Sequence, residues 1–92
     1  MKEFLVELYV SFAEPKGVER RAECVHRAAV ELTAAGTPVR FVRSIFVPAD
    51  ETCLLLFEAD SIDAVREVAQ RAALPFDHVA ETAQPTPNGG IT

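Results

Sequence analysis

An arginine lies in the middle of a segment that otherwise has the pattern of an apolar β-strand. Alternate side chains of a strand point to the same face, and the segment "VRFVRSIFV" covers residues 39–47. Arg43 would therefore share one face with four apolar residues, Val39, Phe41, Ile45 and Val47. A guanidinium offers five N–H donors in a rigid fork and has no free lone pair, so it suits a carboxylate or carbonyl group and not a metal ion.

Arg43 has two interpretations. In the first, it lies in a cavity and binds a small anionic or carbonyl-bearing ligand. In the second, it forms a structural ion pair with a carboxylate of its own chain or of a partner, with Glu7, Glu58 or Glu81 as the candidates. An unpaired buried charge is strongly unfavourable, so some partner for Arg43 must exist. Both interpretations hold if a ligand can displace the carboxylate from Arg43.

Glu7 and its neighbours provide the other polar groups of this predicted cavity. Glu7 alternates with Leu5 and Tyr9 in the segment "FLVELYV". A buried carboxylate suits general-base chemistry, whereas pairing with Arg43 would hold it ionised and inert. We predict a ligand site lined by Glu7, Tyr9, Arg43 and Phe57.

Histidines and cysteines give only weak metal candidates. Cys24 and His26 are two residues apart on a predicted helix and point away from each other, so they cannot chelate one ion. His78, with Glu81 as a nearby carboxylate, is the remaining candidate, but one or two ligands do not make a metal site. We do not expect a disulfide between Cys24 and Cys53, since the inferred compartment is reducing.

Composition restricts the class of protein. The 92 residues carry a net charge of -5, with 49% hydrophobic and 25% charged residues, which is typical of one globular domain. The sequence has no basic stripe that would indicate a nucleic-acid partner, and it has no apolar run long enough for a membrane span. The start of the chain lacks the pattern of a signal peptide, so we expect a cytoplasmic protein. We predict one domain over residues 1–84 and a flexible tail over residues 85–92, where Pro, Gly and polar residues dominate.

The elements that would position these residues follow from hydrophobic periodicity. Apolar residues alternate in residues 4–10, 39–47, 53–57 and, more weakly, 76–83, as in strands. Helical spacing appears from Val18 to Leu32, where Gly36 and Pro38 follow, and again after Asp60 or Ser61, either of which can cap the second helix. The order is βαββαβ, which predicts an α+β ferredoxin-like plait with both helices on one face of an antiparallel sheet.

The strands carry large apolar residues on both faces, yet two helices can cover only one. A second copy is the simplest partner for the uncovered face, because a soluble monomer rarely exposes so large an apolar patch. We therefore predict a homodimer in which the two sheets form an α+β barrel with a cavity between them.

Two stretches resemble a known family. The opening "FLVE" and "FVRSIFVPADETCLLLFEADSIDAVREVAQRAALPFDHVAE" resemble the nickel-binding-protein-like family of small bacterial ferredoxin-fold proteins. The resemblance implies a dimer of this kind and nickel or another metal as ligand. The family pattern has a histidine, in a "VHS"-like segment, where this chain has Arg43 in "VRS". The resemblance therefore implies a metal site that this chain has lost or weakened, while the family's glutamate is retained as Glu7.

Three functions remain open at this point. The leading hypothesis is a non-catalytic binding protein that holds a metal ion or a small anion between its sheets. The second is a cofactor-free barrel enzyme, oxygenase- or isomerase-like, in which Glu7 or Tyr9 moves a proton and Arg43 polarises a carbonyl of a small substrate. The third is a purely structural interaction module with a permanently closed ion pair.

Overall fold

Four strands and two helices alternate in the predicted order. The structure is a computed structural model that describes residues 1–11, 13–14, 16–76 and 78–83. Its elements are β1 (Lys2–Tyr9), α1 (Gly17–Ala34), β2 (Val39–Val47), a 3-10 turn (Pro48–Asp50), β3 (Thr52–Ala59), α2 (Ile62–Arg71) and β4 (His78–Glu81). The βαββαβ order and the α+β ferredoxin-like plait are confirmed. The predicted flexible tail, residues 85–92, lies outside the described residues.

The sheet has the order β2-β3-β1-β4, and every neighbouring pair of strands is antiparallel. Both helices pack on one face of it, where the core forms. The fully buried core side chains include Phe4, Val6 and Leu8 of β1, Cys53, Leu55 and Phe57 of β3, Val25 and Leu32 of α1, and Val65 and Val68 of α2. In the part of the chain that the structure describes, no helix is both long and apolar enough to cross a membrane.

The helix boundaries follow from local chemistry. Gly36 has φ of 104°, a conformation that side chains with a Cβ rarely adopt, so it ends α1 and lets the chain turn into β2. Ser61 precedes α2, and its hydroxyl accepts a hydrogen bond from the Ala64 amide at 3.3 Å. This N-cap satisfies one of the free amide groups at the start of the helix.

A β-bulge in β2 changes which residues share a face. Phe41 pairs with Phe57 of β3, whereas Arg43 pairs with Leu56, so Val42 is an extra residue between two paired positions. The prediction that Arg43 alternates with Val39 and Phe41 on one face is therefore wrong. Val39 and Phe41 belong to the helix-covered side, where Val39 is buried and Phe41 packs against the core.

The face of the sheet away from the helices is called here the open face. Strand pairing places fourteen strand residues on it: Glu3, Leu5, Glu7, Tyr9, Arg40, Arg43, Ile45, Val47, Thr52, Leu54, Leu56, Glu58, His78 and Ala80. Six of them are apolar, and all six are only partly buried. The expectation of large apolar side chains on both faces of the sheet is confirmed, because the helices leave Leu5, Leu54 and Leu56 uncovered.

Candidate functional site

Two rows of side chains run across the open face from β2 to β4. The first row consists of Arg43, Leu56, Leu5 and Ala80. The second row consists of Ile45, Leu54, Glu7 and His78. Polar groups therefore stand at opposite edges of an aliphatic centre, with a cation on the β2 side and a carboxylate and an imidazole on the β4 side.

Glu7 and His78 form a cross-strand pair on the open face. They are direct Cα partners in the antiparallel β1–β4 ladder, where the Cβ atoms of facing residues lie about 5 Å apart. Glu7 is half-buried and His78 is exposed. The sequence did not reveal this pair, because the register of the short strand β4 against β1 cannot be read from the periodicity of either strand.

Arg43 is exposed on the edge strand β2, opposite Leu56. Among the described residues it has no ion-pair or hydrogen-bond partner. One of its predicted partners is occupied: Glu58 accepts hydrogen bonds from Arg40 at 2.7 and 2.9 Å. Glu7 is the carboxylate on the same face as Arg43, two strands away and in the adjacent row.

Phe57 does not belong with the other predicted ligand-site residues. Its side chain is 0% exposed on the helix-covered side, where its ring centroid lies 5.4 Å from that of Phe41. Glu7, Tyr9 and Arg43 lie on the opposite side of the sheet. Because successive residues of a strand alternate between faces, Phe57 cannot line the same surface as its neighbour Leu56. The prediction that grouped Phe57 with those three residues is wrong.

The remaining predicted residues lie apart. Tyr9 is 59% exposed at the end of β1, where it pairs with Thr52. Glu81 pairs with Phe4 and so points to the face opposite His78. His78 and Glu81 are thus not brought together, and within the described residues no group of three or more His, Cys, Asp or Glu could hold a metal ion.

A separate cavity of about 360 Å³ lies between α1 and β2. Its lining is mostly apolar and includes Ala29, Val30 and Phe41, together with His26. Val30 is exposed and could have indicated this cavity from the sequence. An apolar residue away from the core-facing side of an amphipathic helix suggests a second apolar surface on that helix.

The two cysteines differ in accessibility. Cys24 is exposed, Cys53 is buried, and neither is in a disulfide. Burial raises the pKa of the Cys53 thiol above 9.0, and the Arg21 guanidinium lowers it only in part. Over the pH range between the pKa of the unfolded thiol and that of the folded one, the folded state therefore keeps the Cys53 proton and the unfolded state has lost it.

We expect this contrast in thiol titrations. Under native conditions an aromatic disulfide reagent should modify Cys24 about 100-fold faster than Cys53, because thiolate formation and access control the rate. The raised pKa also predicts that the contribution of Cys53 to the free energy of unfolding is constant below about pH 9 and falls as the pH rises further. In the Cys53→Ala variant the free energy of unfolding should decrease less steeply above about pH 9. Equal reaction rates for the two thiols would contradict the buried position of Cys53.

The fold and the open face define a class of protein, a small α+β plait with one sheet face left uncovered. The chain belongs to the family described as nickel responsive protein SCO4226-like, whose family model matches residues 12–82. The predicted nickel-binding-protein-like family is thereby confirmed. Among solved structures, the crystal structure of SCO4226 from Streptomyces coelicolor A3(2) is similar, with a TM-score of 0.64 and 21% identity over 91% of this chain and 99% of that one. At this identity the likeness shows the fold. Comparison with curated proteins found no match.

Proposed function

We propose that the protein is a small homodimeric binding protein whose ligand site lies between two open faces. The observation that carries this proposal is the open face itself, an aliphatic surface with Arg43 on one side and Glu7 and His78 on the other. Polar groups that converge on an apolar surface are typical of small-ligand sites.

A second copy of the chain fits the open face in size. The strands contain 8, 9, 8 and 4 residues, and strand spacings of about 4.8 Å by 3.4 Å per residue give a face of about 500 Å² in projection. The apolar part of this face consists of six adjoining side chains that the helices leave uncovered, and contiguous exposed apolar patches mark interaction surfaces. Aligned sheets pack about 10 Å apart, which leaves room for side chains of both copies in one layer.

The charges of the open face are complementary to themselves. A two-fold axis along the strands lays β2 of one copy over β4 of the other. Arg43 then lies over the partner's β4, one strand and one row from the partner's Glu7, a gap that the two long side chains can bridge, and the same pair occurs twice. This arrangement supplies the counter-charge that a covered Arg43 requires, since Glu58 is already bound to Arg40.

Charge reversal tests this arrangement. We expect Arg43→Glu and Glu7→Arg each to raise the dimer dissociation constant by about 100-fold, because like charges then face each other across the interface. The double variant should recover most of the affinity, which sedimentation velocity can measure. Arg20→Glu is the matched control, since Arg20 is exposed on α1. Single variants that dimerise as well as the control would contradict the proposal.

Metal binding is a second candidate function, favoured by the Glu7–His78 pair and by the family description. Each copy offers two ligands, and a transition-metal site needs about four. A two-fold axis across the strands, with β4 over β4, would bring two pairs together. Calorimetry with nickel chloride would then show one ion per dimer, lost in the His78→Ala variant. Nickel binding that survives this substitution would contradict the candidate.

A further inference from the structure

We infer that the inter-sheet site takes a small organic carboxylate with an aliphatic body, in preference to a bare divalent cation. This inference rests on the proposed dimer, in which Arg43 of one copy lies over β4 of the other, in the row next to its Glu7–His78 pair. The fixed charges, the lining of the open face and the donor geometry of arginine each contribute to it.

The fixed charges of one such site cancel. Arg43 contributes one positive charge and the partner's Glu7 one negative charge, with histidine counted as neutral in the formal charge at pH 7. A bare divalent ion would leave two uncompensated positive charges, with the guanidinium repelling it. A monocarboxylate leaves one negative charge. Because the Born energy of a buried site rises with the square of its net charge, the carboxylate is more favourable than the divalent ion. Its charge-assisted pair with Arg43 offsets the remaining cost, which a neutral alcohol cannot do.

The aliphatic centre selects among anions. Leu5, Leu54, Leu56 and Ile45 lie between the two polar edges and are only partly buried. A hydrocarbon chain can cover them, whereas sulfate or phosphate would meet few free donors there, since the other arginine of the open face, Arg40, already donates to Glu58. A carboxylate also matches the fork of Arg43 in a bidentate pair.

Length and charge of the ligand can be varied separately. We would titrate butanoate, hexanoate, octanoate, 1-octanol and nickel chloride into the ¹⁵N-labelled full chain and follow amide shifts. We expect shifts in β1 and β3, and an affinity that rises about fourfold for each methylene group added, the increment of burying a CH₂. Octanoate should bind at least about tenfold more tightly than 1-octanol, and Arg43→Leu should remove that difference. Arg20→Leu should leave it unchanged.

Two outcomes would overturn the inference. One is equal binding of octanoate and 1-octanol, which would make the site merely apolar. The other is tight nickel binding that Arg43→Leu leaves intact or improves. The sedimentation mass of each sample separates this failure from that of the proposed function. A dimer that ignores octanoate contradicts the ligand class alone, whereas a monomer contradicts the dimer as well. If Arg43→Leu dissociates the dimer, the affinities of the unsubstituted chain for butanoate, hexanoate, octanoate and 1-octanol still test the ligand class.

Discussion

Replacing Leu56 by glutamate is expected to convert the dimer into a folded monomer. Leu56 lies in the first row of the open face, directly opposite Arg43. In the monomer a glutamate there has a cross-strand partner in Arg43, so the fold should survive. In the dimer the same carboxylate would be pressed against the partner's aliphatic residues, and it would take Arg43 away from the partner's Glu7.

The expected rise in the dimer dissociation constant is at least about 100-fold, since an imperfectly paired buried charge costs several kcal/mol. Sedimentation velocity over a range of concentrations measures it, and far-UV circular dichroism checks the fold. Val30→Glu is the control, because Val30 is 56% exposed on α1 and the substitution makes the same chemical change. If both variants remain dimeric to the same extent, the open face is not the interface.

Replacing Phe57 by alanine is expected to lower the free energy of unfolding by about 3–5 kcal/mol, the range for large-to-small changes of a buried aromatic residue. Phe57 is 0% exposed and contacts Phe41, so the substitution leaves a cavity next to the bulge of β2. A domain of this size has a total stability of about 5–15 kcal/mol, so a large part of it would be lost.

Urea unfolding at one fixed protomer concentration measures this effect, because dimerisation makes the apparent stability depend on concentration. Val42→Ala serves as the control: Val42 is 39% exposed, and its loss should cost less than about 1 kcal/mol. A Phe57→Ala variant as stable as the control would show that Phe57 is not a core residue.

The sequence patterns predicted the elements well because hydrophobic period and breakers act locally. The change from alternation to helical spacing at Val18 marks α1, and Gly36 and Ser61 mark helix ends through their own backbone and side-chain chemistry. The predicted last strand, residues 76–83, is longer than the observed β4, His78–Glu81. The periodicity of this segment does not indicate where pairing with β1 stops.

The site was harder to predict because it depends on pairing between distant strands. The extra residue Val42 shifts the alternation of β2 by one position, so Arg43 lies on the face opposite Phe41. Nothing in the composition of the segment indicates this shift. The same pairing sets Glu7 beside His78 and places Phe57 in the core. Periodicity within one segment carries no information about either the bulge or the register.

An isotope-filtered NOE experiment shows directly whether a second copy covers the open face. A mixture of ¹³C-labelled and unlabelled chains reports only contacts between copies. We predict intermolecular NOEs to the methyl groups of Leu5, Ile45, Leu54 and Leu56. Intermolecular NOEs confined to the helix side, for example to Val30, or none at all in a particle with the single-chain mass of 10.0 kDa, would contradict the proposed interface.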